Sequence, residues 1–77
     1  MELDVLKESI AAILQVYIKE IELDSTFASD LGADSIDLMQ ILNLVEEKLD
    51  IQVDLSEVSK VVTVGDALSL IQKAKSE

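Results

Sequence analysis

The sequence predicts an all-α fold: a small four-helix bundle, three main helices plus one short helix, with a long loop between helices 1 and 2. Three observations lead there. Apolar residues recur at spacings of three and four in separate segments, as helices with one buried face require. Residues 22–34 lose that period and collect turn formers. Cap-like strings then head each later segment: Asp34-Ser35-Ile36-Asp37, Asp54-Leu55-Ser56-Glu57 and Thr63-Val64-Gly65-Asp66.

The first helix is expected from about residue 3 to 19, on the stripe Leu3, Leu6, Ile10, Ile13, Leu14, Tyr17, Ile18 and Ile21. In the loop that follows, Asp24-Ser25-Thr26 and Leu31-Gly32-Ala33-Asp34 are turn formers, and Phe27 and Leu31 are expected to reach the core. The second helix starts at the Asp34-Ser35 step, where Asp34 caps and Asp37 completes a capping box that also suits the helix dipole. Its core stripe is Leu38, Ile41, Leu42, Val45 and Leu49, and its opposite side presents Ile36, Met39, Gln40, Asn43, Glu46 and Glu47. Ile36 and Met39 therefore point away from the core, which favours a role in partner contact. A short third helix follows Asp54, and a last one follows Thr63 with Val64, Ala67, Leu68 and Ile71 facing inward.

Composition narrows the function. A chain of 77 residues holds one domain, 1–77, with a modest core, and 49% apolar content argues against disorder. Without cysteine there is no disulfide or thiolate metal site; without histidine the commonest general base and metal ligand is missing. No catalytic residues or metal ligands are assigned, and hydrolase chemistry is excluded. All six basic residues are lysines against a net charge of −10, which excludes nucleic-acid binding. No apolar stretch could span a bilayer and the chain start is acidic, so a soluble cytoplasmic protein without membrane insertion is expected.

The charge is unevenly placed. Eleven acids and one base, Lys48, lie between Glu20 and Glu57, so this segment carries the whole net charge while five acids and five lysines balance elsewhere. Such placement suits solubility and also an electrostatic docking surface for basic partners. The acids alone leave two further readings open, an unmodified acidic helical interaction module and a weak calcium-binding module. A built calcium loop starting at Asp30 fails, because Ser35 stands where its glycine is needed and Ile41 where its glutamate is needed.

The string Asp30-Leu31-Gly32-Ala33-Asp34-Ser35-Ile36-Asp37-Leu38 resembles the phosphopantetheine attachment motif of acyl carrier proteins, whose core reads Leu-Gly-x-Asp-Ser-(Leu/Ile). A serine at a helix start is ordinarily a cap. Here the resemblance extends over nearly the whole chain, from the first helix through the long loop and motif to the acidic second helix and beyond. It implies a non-catalytic carrier whose 4'-phosphopantetheine is covalently attached to Ser35, with Asp34 as companion acid. It implies partners as well: a phosphopantetheinyl transferase and acyl-handling synthase enzymes with basic docking surfaces, met by Ile36, Asp37, Met39, Gln40, Asn43, Glu46 and Glu47. The carrier is expected to be a monomer, and its interior is expected to open for a growing acyl chain. Leu-Gly-Ala-Asp-Ser is closer to fatty-acid and polyketide carriers than to peptidyl carriers. Gln40, Asn43 and the proline-free Val53-Asp54 step depart from the common bacterial fatty-acid pattern, leaving both a housekeeping and a specialised lipid or polyketide role open.

Overall fold

Leu6 and Ile10 on one helix, and Ile41, Leu42 and Val45 on another, lose all contact with solvent where the two helices meet. In the computed structural model, which describes residues 2–76, these belong to α1 (Glu2–Leu14) and α2 (Ser35–Leu49), the pair that packs most extensively. α3 (Val64–Lys75) lies against α1 and adds Val64, Ala67, Leu70 and Ile71 to the same core. A 3₁₀ turn at Ile18–Glu20 and a longer 3₁₀ helix at Leu55–Lys60 complete the fold. The expected three main helices, short helix and long first connection are all present; the short helix is wound as 3₁₀. Truncating a fully buried Leu or Ile here costs about 2–5 kcal/mol, a large fraction of the ~5–15 kcal/mol that holds a domain together.

The first helix is shorter than its apolar period suggests. It stops at Leu14 because Gln15 turns left-handed (φ 58°), its amide closing on Ala11 O at 2.8 Å. The β-branched Val16 and Ile18 beyond it are poor continuers of a helix. The break changes which residues turn inward: Val16 packs on the core, whereas Tyr17 and Ile18, expected on the buried stripe, stand in solvent; Ile21, also on that stripe, is buried as expected. In α3 the inward set is also shifted, with Leu70 buried and Leu68 only half-buried.

The long loop is tied down along its length. Thr26 bridges Thr63 in an isolated antiparallel pair, flanked by Phe27 N–H to Val62 O (3.0 Å), Val64 N–H to Ser25 O (2.9 Å) and Gly65 N–H to Leu23 O (2.8 Å). A side chain at Gly65 would bring its Cβ to 3.2 Å from the Leu23 carbonyl oxygen, so any larger residue would require the pairing to shift by a few tenths of an ångström. Phe27 is thereby sunk into the core and Leu31 packs on its edge, both as expected. Asp66 fixes the other side of the pairing. Its carboxylate accepts from the Val62 and Thr63 amides at 3.0 and 3.1 Å, completing the capping box of α3. The bonds to Thr63 and Val62 hold this carboxyl below its ordinary pKa.

Candidate functional site

The approach to Ser35 is a chain of short hydrogen bonds. Thr26 and Asp30 bond reciprocally, side chain to amide, at 2.8 and 3.1 Å, and close a tight turn. Leu31 N–H then reaches Thr26 O (3.1 Å) and Ala33 N–H reaches Phe27 O (2.7 Å). Between them Gly32 adopts φ 66°, a left-handed turn that glycine makes without strain, and open space surrounds it. Asp34 leaves this turn extended and caps α2: its carboxylate accepts from Asp37 N–H at 2.9 Å while Asp37 accepts from Asp34 N–H at 3.3 Å. The capping box read from the sequence is formed in full.

Ser35 is therefore the first residue of α2, exposed, on a backbone fixed from both sides. First-turn amides of a helix lack intrahelical acceptors and carry the positive end of its dipole, so an anion bonded to this hydroxyl is favoured. The serine also borders a cleft of about 280 Å³, lined by Phe27, Ala33 and Leu38 on its own side and by Val58, Ser59 and Val62 of the segment leading to α3. Of the remaining residues assigned from sequence, Ile36 (65% exposed) and Met39 (41%) flank the serine on the outer surface. Gln40, Asn43 and Glu47 are exposed farther along α2. Glu46 is different: half-buried, it accepts from the Val53 amide at 2.7 Å and braces the chain beyond α2. Asp37 is likewise engaged in the cap.

Sequence reasoning missed the far wall of the cleft. Val58, Val61 and Val62 carry no motif; the one available signal was an apolar pair immediately before the Thr63 cap. Among the described residues no group of three or more carboxylates converges on a metal-sized site, and no helix is long and apolar enough to cross a membrane.

The comparisons with known proteins meet this geometry. A family model described as "Phosphopantetheine attachment site" matches residues 4–71, a span that contains Ser35 and both walls of the cleft. The acyl carrier protein of Clostridium acetobutylicum is 39% identical over 77 residues, covering 100% of this chain and 99% of the relative. The chain belongs to the acyl carrier protein family. Acyl carrier proteins of Sulfurovum sp. (39% over 69 residues, 90% of this chain and 92% of the relative) and Wolinella succinogenes (38% over 72 residues, 94% and 95%) are similarly related. As a member of this family the protein is a non-catalytic carrier that works through covalently bound 4'-phosphopantetheine and meets a phosphopantetheinyl transferase and acyl-handling enzymes. The residues fit that group: an exposed hydroxyl, a helix start that tolerates a phosphodiester, and an apolar cleft beside it. When bound, the arm supplies the thiol that this cysteine-free chain lacks.

Proposed function

We propose that Ser35 is the single point at which the arm is attached, and that chain 1–77 acts as one monomeric acyl-carrier domain in the cytoplasm. It presents thioester-bound intermediates of fatty acid or related lipid or polyketide synthesis. The observation that carries this reading is the Ser35 hydroxyl, exposed at the first position of a capped helix and opening onto an apolar cleft. In the loading reaction the serine Oγ–phosphorus bond forms as the diphosphate link of coenzyme A breaks. The nucleotide half leaves, and the hydroxyl proton passes to the transferase. Asp34 is held by its bond to Asp37 N–H beside that hydroxyl and keeps an acidic group facing the incoming enzyme. Ile36, Met39, Gln40, Asn43 and Glu47 form the outer surface that partners read, with Asp37 and Glu46 shaping its backbone.

Mass spectrometry after incubation with a phosphopantetheinyl transferase and coenzyme A tests the assignment. The wild type gains one phosphopantetheine, and Ser35→Ala stays folded and gains none. Modification of that variant at Ser29 or Ser56, both also exposed, would move the site. No gain in the wild type would return the chain to an unmodified acidic interaction module.

A further inference from the structure

A second hydroxyl shares the cleft with Ser35. Ser59, exposed on the 3₁₀ helix Leu55–Lys60, is the only polar side chain lining it besides Asp34 and Ser35 among the described residues. Its surroundings there are Phe27, Leu38, Val58 and Val62. Four serines elsewhere have local partners: Ser56 donates to Asp54 at 2.6 Å, Ser9 donates to Val5 O at 2.8 Å, Ser76 donates to Lys73 O at 3.1 Å and Ser25 accepts from Glu22 N–H at 3.0 Å, whereas Ser29 and Ser69, which also lack such a bond, lie outside this cleft. No such bond engages Ser59 among the described residues. Asp34 is less suited to that role, because one carboxylate oxygen is bonded in the cap, the group has no proton to donate, and its charge repels a neighbouring phosphodiester.

Phosphopantetheine is a chain of alternating demands. Beyond the phosphate come two geminal methyls, then a hydroxyl and amides. Methyl groups gain by leaving water for an apolar cleft, but an amide or hydroxyl carried in with them loses more than it gains unless it finds a hydrogen-bond partner. We propose that Ser59 is that partner: a positioning residue whose hydroxyl bonds the pantoyl portion of the arm while the geminal methyls rest on the valine-lined wall. This rests on Ser35 bearing the arm. It gives the loaded carrier a resting state, with the arm laid along the cleft, from which a partner enzyme must draw it.

The test uses the intact protein in apo and holo forms, with loading verified by mass. In ¹⁵N- and methyl-resolved NMR spectra, loading the wild type should shift Val58, Val61 and Val62 as well as the residues around Ser35. Ser59→Ala should fold normally, since its side chain is exposed, and should load at Ser35. Its shifts at the three valines should move part-way back toward apo values, as the docking equilibrium constant falls about fivefold on losing one ordinary hydrogen bond. Ser59→Thr should restore them. Wild-type changes confined to Ser35 and its neighbours, or valine shifts unaltered in Ser59→Ala, would overturn the proposal. Failure of the wild type to gain the arm at Ser35 would instead overturn the carrier assignment on which it stands.

Discussion

The Glu46 carboxylate accepts a 2.7 Å hydrogen bond from the backbone amide of Val53, seven residues on and past the end of α2. Between them the chain reverses through Asp50, which is left-handed at φ 54°. Val53 itself is buried, so its amide is poorly placed to recover a partner from water. Two neighbouring acids on one helix thus differ in kind: Glu46 holds the chain, and Glu47 is free on the surface.

Glu46→Ala should therefore destabilise the fold by about 1–2 kcal/mol, the cost of orphaning a part-buried amide. Glu46→Gln, which keeps an acceptor, should lose less. Glu47→Ala should stay within about 0.5 kcal/mol of the wild type, as exposed charges do. Urea denaturation measures all three. Equal effects at 46 and 47 would mean that the bond to Val53 contributes nothing in solution.

What the sequence could and could not disclose divides along similar lines. Caps were legible because each sits within four residues: Asp34 with Asp37 and Thr63 with Asp66 are present as read. The second helix kept its period to the end, and its core stripe is buried or half-buried throughout. The end of α1 was not legible, because a left-handed Gln15 leaves no mark on hydrophobic spacing and glycine did not flag it. Glu46 and Val53 were equally hidden, since their bond spans a chain reversal. At the site, Ser35 was visible through its motif, while the valine wall of the cleft depends on the Thr26–Thr63 bridge, a pairing between distant segments.

Acid should weaken the caps that Asp66 and Asp54 make. The pKa of Asp66 is lowered chiefly by the Thr63 and Val62 amides, and that of Asp54 by the Ser56 hydroxyl and amide. A carboxyl whose folded pKa lies below its unfolded value of 3.8 stabilises the fold above that pH and loses its contribution as pH falls through the folded value. The net charge of −10 is a separate contribution at neutral pH, where the acids repel one another. Melting temperature should fall as pH drops below about 4. At pH 7, added salt should raise it by screening. Asp66→Asn should flatten the acid limb. A melting temperature that does not fall down to pH 3, in wild type and variant alike, would leave these caps without energetic weight.

The outer surface of α2 should be read by partners through two separable contributions. A carrier must be found quickly and released soon, which suits steering by charge and a small apolar anchor more than a large dry interface. On the proposed reading, Met39 (41% exposed) and Ile36 (65%) are the anchor beside Ser35, and Glu47, not Glu46, is the free charge. Met39→Ala should raise the KM of the transferase about fivefold at any salt concentration, since an apolar contact is not screened. Glu47→Lys should slow loading about three- to tenfold at low ionic strength, with the effect fading as salt rises past the range where exposed charges are felt. Neither change should move the melting temperature by more than a few degrees, because both side chains are on the surface. A fair control is Glu8→Lys, an exposed acid on α1 outside the acidic segment. Glu2 is unsuitable because it is ion-paired to Lys75 at 2.8 Å, which lowers its pKa and ties α1 to the end of α3. Equal slowing by Glu8→Lys and Glu47→Lys would assign the effect to net charge alone. Full activity in both Met39→Ala and Glu47→Lys would remove docking from this face of α2.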